Sequence, residues 1–208
     1  PPAIDSLKAG TSASMSTKSW GTCATLPIAD AHRVIAIPAA MPHMQALRVP
    51  STEADLRAAY EWLRANGVGG DAPISAAGFC MGGRAAFLAA LILPLRSAVS
   101  FYGGGIAPNS RMPAGLLDRV QELRAPLLLF WGGLDKNIDA GQTRAVVDAL
   151  RAAGKDFVNI EFSGADHGFF CDARPSYNPT AAAQAWPLTL AFLRVHASAG
   201  AHGTPPGS

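Results

Sequence analysis

The chain has 208 residues, of which 49% are apolar and 15% charged, against about 25% charged in an average domain. Lys and Arg number 17 and Asp and Glu 15, a net charge of +2, with no basic run of the kind that grips a phosphate backbone, so nucleic-acid binding is not expected. The longest strictly apolar stretch, Ala85 to Leu93, falls far short of the ~20 residues that span a bilayer, and the opening Pro-Pro-Ala-Ile-Asp lacks the basic-then-apolar pattern of a signal peptide, so no membrane role is expected.

In chain order, residues 1–32 form an atypical N-terminal segment. Its first 30 residues hold nine Ser or Thr and show no strand or helix period. Residues 33–196 alternate strand-like and helix-like stretches, and residues 197–208 read as a frayed tail ending Gly-Thr-Pro-Pro-Gly-Ser. Val34 to Ile37 is a short apolar strand stopped by Pro38. Thr52 is placed to cap a helix with Asp55 three residues on. Leu56, Ala59, Tyr60 and Leu63 then recur at helical spacing up to Gly67. Ile74 to Phe79 predicts a strand, Met81 to Ile92 a helix, and Ala98 to Tyr102 a strand. Leu116 to Leu123 reads as helical and Pro126 to Trp131 as a continuous apolar strand. Thr143 to Ala153 shows Val146, Val147 and Leu150 on one helical face, with Gly154 after it. Phe157 to Phe162 alternates Val158, Ile160 and Phe162 with Asn159 and Glu161, as a sheet edge would. Asn178 and Pro179 open a last helix, in which Pro187 predicts a kink near Ala183 to Trp186. Trp186 and Phe192 read as packing between that helix and the sheet.

Strand and helix alternate five times, and most strands are unbroken apolar runs, as when both faces of a parallel sheet are covered. The fold class is therefore α/β, a mostly parallel doubly wound sheet flanked by helices. Ligands bind at the carboxyl ends of such strands, which directs attention to three loops. After Phe79 comes Gly78-Phe79-Cys80-Met81-Gly82, a G-x-C-x-G between strand and helix. A turn this sharp lifts its central side chain clear of the sheet, at a helix N-terminus that favours thiolate. The Met81 N–H faces the same space as an oxyanion donor. The alternative is a buried structural Cys. After Trp131 comes Gly132-Gly133-Leu134-Asp135, where an acid belongs if it is to orient a histidine. Alternatively, Asp135 or Asp139 only caps the next helix. After Phe162 comes Ser163-Gly164-Ala165-Asp166-His167-Gly168, where His167 is either a general base or an ordinary loop residue. Asp166 is its neighbour, but an acid from another strand is preferred. The order nucleophile, acid, His is that of α/β-hydrolases. In this reading His167 takes the thiol proton, Cys80 attacks a carbonyl, and Asp135 holds the imidazole tautomer. The cysteines, Cys23, Cys80 and Cys171, are odd in number with no CxxC pair, which argues against a disulfide scaffold or zinc site and for a reducing cytoplasm. His32, His43, His196 and His202 make no metal-ligand spacing.

The strings G-F-C-M-G-G-R, F-Y-G-G-G-I, G-G-L-D, G-A-D-H-G-F-F and R-P-S-Y-N, with A-W further on, together resemble the dienelactone hydrolases (carboxymethylenebutenolidases) over roughly residues 50 to 195. The resemblance implies an α/β-hydrolase-like fold and a Cys-Asp-His triad mapping onto Cys80, Asp135 and His167. It implies hydrolysis of a small-molecule lactone or ester, dienelactone to maleylacetate in aromatic breakdown, with no cofactor and no metal. Two departures stand out. The family begins with strands ahead of the Val34 strand, one followed by a loop whose Glu contacts the nucleophile, and residues 1–30 show no such strand. The family also carries an Arg four residues after the triad His, where this chain has Cys171. Arg174 is the substitute for binding a substrate carboxylate, with Arg48 and Arg84 as further candidates. Tyr102 and Phe169 are expected to line the pocket, or else to pack in the core, as is Phe170.

The alternatives to this activity are a general carboxylesterase or thioesterase on the same scaffold, and a catalytically impaired relative that acts as a binding protein. Without the missing strand, the edge at Val34 to Ile37 would invite a homodimer or aggregation, and activity would be weak.

Overall fold

The computed structural model describes residues 48–66 and 74–198. The expected strand at Val34 to Ile37, the segment 1–32, Gly67, Cys23, His32, His43, His202 and the rest of the tail lie outside the described residues. The elements in order are α1 (Val49–Ala65), β1 (Ala76–Phe79), α2 (Met81–Ile92), β2 (Ala98–Phe101), a 3-10 helix (Leu117–Glu122), β3 (Leu127–Gly132), α3 (Ala140–Ala152), β4 (Phe157–Phe162) and α4 (Pro179–Ser198). The four strands pair in the order β1-β2-β3-β4, all parallel. This is the parallel α/β sheet that the apolar runs predict. The reversal of strand order that makes such a sheet doubly wound is not among the described strands.

Every residue of β2 and β3 is buried, which is why Ala-Val-Ser-Phe and Leu-Leu-Leu-Phe-Trp show almost no alternation. Helix α2 packs on β1 and β2 and buries Phe87, Leu88 and Leu91. Each such side chain contributes about 1.5–3 kcal/mol relative to leaving it exposed. Register places Phe79, Phe101 and Phe130 side by side on neighbouring strands. Their rings stack at 4.5 Å and 4.6 Å, and Phe162 of β4 extends the row at 6.1 Å from Phe130. This ladder lies near the carboxyl ends of the strands and gives the loops above it a stiff floor.

Several boundaries differ from expectation. Helix α1 starts at Val49, not at Thr52, because Pro50 is pre-set for a first helical turn. Ser51 then bonds both the N–H and the carbonyl of Arg48, while the Thr52 hydroxyl donates to the Arg48 carbonyl from inside the helix. The helical stretch expected at Leu116 to Leu123 is a 3-10 helix over Leu117–Glu122. Its end is held by Lys155, whose Nζ donates to the Gln121 and Leu123 carbonyls. On β4, Ile160 and Phe162 are half-buried as expected, but Val158 is 43% exposed. Helix α4 runs to Ser198 as one element with Pro187 inside it, so residues 197 and 198, expected in the tail, are helical. The Asn178 cap is as expected, its Oδ1 accepting from the Ala181 N–H at 3.0 Å.

Candidate active site

Three loops leave the carboxyl ends of β1, β3 and β4, and their side chains converge. The β1–α2 turn is set by glycine: a Cβ on Gly78 would lie 2.0 Å from the Gly82 carbonyl oxygen, so strand and helix backbones cross only because none is there. Between them Cys80 sits at φ 55° and ψ −118°, a conformation that costs a non-glycine residue about 1–3 kcal/mol. The turn is anchored by the Cys80 N–H donating to the Phe101 carbonyl at 2.9 Å and by the Arg84 N–H donating to the Cys80 carbonyl at 3.2 Å.

In the loop after β3, Asp135 and Asp139, either of which could cap the next helix, divide their tasks. Asp139 caps α3, its Oδ1 accepting from the Gln142 N–H at 2.9 Å. Asp135 is buried. Its Oδ1 accepts from the N–H groups of Asn137 at 2.7 Å and Ile138 at 3.1 Å, and its Oδ2 meets His167 Nδ1 at 2.7 Å. The His167 loop rests directly on the end of β3. The Leu134 N–H donates to the Ala165 carbonyl at 2.9 Å, and a Cβ on Gly132 would lie 2.6 Å from that same oxygen.

His167 completes the line, with Nε2 at 3.1 Å from Cys80 Sγ. Asp166 does not compete for the ring: its Oδ1 accepts from the His167 backbone N–H at 2.6 Å. The Tyr102 ring stands edge-on to the imidazole at 5.2 Å and Phe169 packs against Tyr102 at 5.2 Å. Both are buried, Phe169 completely, so Tyr102 packs on the imidazole and Phe169 backs Tyr102 within the core. Phe170 packs on Phe79, Phe101 and Trp186.

The electrostatics follow from this packing. Burial alone would depress the imidazolium, but the Asp135 carboxylate and the Cys80 sulfur more than offset it and push His167 up to about 9. Burial likewise opposes the thiolate. The His167 hydrogen bond and charge, the Met81 N–H and the charge of Arg174 together bring Cys80 below its ordinary 9.0. Both shifts run toward the thiolate–imidazolium form of the pair.

Of the three arginines considered, Arg174 lies nearest this chemistry. Its Cδ and Nη1 lie over Gly168, and with Asp166, Pro175 and Ser176 it borders a cavity of about 470 Å³. Arg84 instead donates to the Gly105 carbonyl, and Arg48 begins α1. Cys171, where the family carries its Arg, is buried. Among the described residues, no group of three His, Cys, Asp or Glu is placed to hold a metal ion, and no helix is long and apolar enough to cross a membrane.

Residues 28–197 match the profile of the dienelactone hydrolase family. A protein of Synechocystis sp., provisionally named carboxymethylenebutenolidase, is 38% identical over 112 residues, which is 52% of this chain and 45% of that protein. One from Escherichia coli K12 with the same provisional name is 35% identical over 154 residues, 71% of this chain and 55% of that protein. The chain thus spans about half the length of the curated relatives it matches. The crystal structure of a protein from Klebsiella pneumoniae, provisionally designated a dienelactone hydrolase, superposes with a TM-score of 0.69 at 29% identity, covering 77% of this chain and 68% of that one. Pyrococcus horikoshii acylaminoacyl peptidase, at 18% identity and a TM-score of 0.59 over 76% of this chain and 28% of its own, shares the fold. With its profile match running over most of the sequence and its strand-end loops laid out on this sheet, the chain belongs to the dienelactone hydrolase family.

Proposed function

We propose that this chain is a cysteine hydrolase acting on a small-molecule lactone or activated ester, with a carboxylate-bearing enol-lactone of the dienelactone type as its substrate and maleylacetate as the product. The observation that carries this reading is the hydrogen-bonded line from Cys80 Sγ to His167 Nε2 at 3.1 Å and from His167 Nδ1 to Asp135 Oδ2 at 2.7 Å.

In the first half-reaction the Cys80 thiolate adds to the substrate carbonyl. The Met81 N–H is one donor to the oxygen that becomes negative. The intermediate collapses by breaking the acyl C–O bond, which opens a lactone ring, and the leaving oxygen takes the proton from His167 Nε2. That leaves a thioester on Cys80 and a neutral imidazole. In the second half, His167 removes a proton from water, the hydroxide adds to the thioester, and the sulfur leaves as thiolate. The acid product departs, and the thiolate–imidazolium pair is restored. Asp135 holds the Nδ1 proton throughout and stabilises the imidazolium. The Arg174 guanidinium binds the substrate carboxylate, while Tyr102, backed by Phe169, packs on the imidazole. No step draws on a cofactor. Cys80 must remain a free thiol, which suits a reducing cytoplasm.

The test is turnover of dienelactone and of a nitrophenyl ester by the wild-type chain and by Cys80→Ala. Loss of both activities in the variant, with dienelactone the better substrate of the wild type, supports the assignment. Wild-type rates in Cys80→Ala overturn it. Preference for the uncharged ester would point to a general esterase.

A further inference from the structure

Asn178 does more than cap α4. Its Oδ1 accepts from the Ala181 N–H at 3.0 Å. Its Nδ2 donates to the Gly164 carbonyl at 3.1 Å, and its backbone N–H donates to the Phe169 carbonyl at 2.9 Å. Gly164 and Phe169 lie three residues before and two residues after His167. One residue thus grips the histidine loop on both sides of the imidazole and fastens it to the first turn of a 20-residue helix. From the opposite side the loop is held by β3, through the Leu134 N–H on the Ala165 carbonyl. Capping alone does not call for asparagine, since Asp and Ser cap equally well. Asp has no donor, and Ser has a single oxygen on a shorter stem, whereas the amide accepts from Ala181 and donates to Gly164 through two separate atoms.

We infer that Asn178 is a positioning residue for His167, holding the loop so that the imidazole reaches both Cys80 and Asp135. The inference rests on the cysteine-hydrolase reading above. The charged and titratable groups that face His167 are Asp135 from the loop after β3, Cys80 at the start of α2 and the Tyr102 ring just after β2. Arg174 of the same loop acts on Cys80, and Asp166 bonds only the backbone of His167.

The test uses the full chain with Asn178→Ser and Asn178→Asp. Both variants keep an acceptor for the Ala181 N–H and lose the donor to Gly164. Melting temperature, kcat and KM on a nitrophenyl ester across pH, and the rate of Cys80 alkylation by iodoacetamide are measured. The expected result is a melting temperature close to wild type and a kcat lower by about ten- to a hundredfold, the scale set by small misplacements of reacting groups, with KM little changed. The basic limb of the kcat/KM profile, which follows His167 of the free chain at about 9, moves to lower pH in both variants. The charge of Asp would by itself move that limb upward, so a downward shift in both reports lost contact with Asp135. Wild-type kcat and an unmoved limb in both variants overturn the inference. So does a kcat loss that only parallels a loss of melting temperature, with the limb unmoved. If wild-type Cys80 alkylates no faster near neutral pH than an ordinary thiol, the cysteine-hydrolase reading itself fails, whatever Asn178 does.

Discussion

Replacing Asp135 by Asn changes little in volume and much in charge. The Asn carbonyl can take over the two backbone N–H bonds now made to Oδ1. The amide NH₂ then stands where Oδ2 now meets His167 Nδ1 at 2.7 Å. An NH₂ there turns Nδ1 into an acceptor, sends the ring proton to Nε2 and removes the charge that supports the imidazolium. In the native site that support, together with Cys80, lifts His167 from 6.5 to about 9 against the opposing effect of burial. At ~1.4 kcal/mol per pKa unit, losing the whole lift would cost about 3 kcal/mol; Cys80 keeps its share, so the loss is on the order of 1–3 kcal/mol. This corresponds to roughly 10–10² in rate, below the ~10⁴ of the equivalent serine-protease change, because a thiol ionises more readily than a hydroxyl. The sign with pH follows. In the wild type, activity falls on the acid side as the Cys80 thiolate takes a proton, below its ordinary 9.0. On the basic side it falls as His167 loses its proton near 9. In Asp135→Asn the basic limb moves down and the acid limb moves up, so the plateau narrows and sinks. The assay is kcat/KM on an activated ester from pH 5 to 10, with Asp166→Asn as the control. A normal Asp135→Asn beside a crippled Asp166→Asn would refute the reasoning.

Other changes probe single parts of the site. Cys80→Ala and Cys80→Ser both lose hydrolysis while the circular dichroism of the fold is retained, because Cys80 lies on a turn at the edge of the core. An active Cys80→Ser would show that the site is not tuned to sulfur. Gly78→Ala destabilises the chain by at least about 1–3 kcal/mol, since its Cβ would sit 2.0 Å from the Gly82 carbonyl oxygen, and an unchanged melting temperature would mean the turn relaxes freely. Arg174→Ala raises KM for a carboxylate-bearing lactone far more than for an uncharged ester, and equal effects on both would assign the cavity guanidinium to Cys80 alone.

How much was legible in the sequence depends on how far each residue's partners lie along the chain. The strands β2 and β3 were plain because burial on both faces leaves unbroken apolar runs. The juxtaposition of Cys80, Asp135 and His167 was also foreseeable, since each follows a strand and parallel strands bring their carboxyl ends to one side. Asp135 was the acid the sequence favoured, but whether it faces the histidine or only caps the next helix was left open, because both Asp135 and Asp139 fall where a cap belongs. Only the fold of the loop, with Asn137 and Ile138 turning their N–H groups back onto Asp135, decides which carboxylate faces the histidine. Arg84 looked like a substrate cation and proves tied to the Gly105 carbonyl, a contact between residues 21 apart that no local pattern announces. The aromatic floor of Phe79, Phe101, Phe130 and Phe162 was missed for the same reason: it exists only once register is known. Asn178 showed its capping role through the Pro179 that follows, but its grip on Gly164, 14 residues earlier, left no local trace.

The central claim is that Cys80 is the atom that takes the acyl group. The chain is mixed with an activated ester, quenched in acid within one turnover, digested and analysed by mass spectrometry. The account predicts an acyl group on the peptide containing Cys80, formed more slowly in His167→Ala and absent in Cys80→Ala. Steady turnover with no adduct on Cys80, or with the acyl group on another side chain, would contradict it.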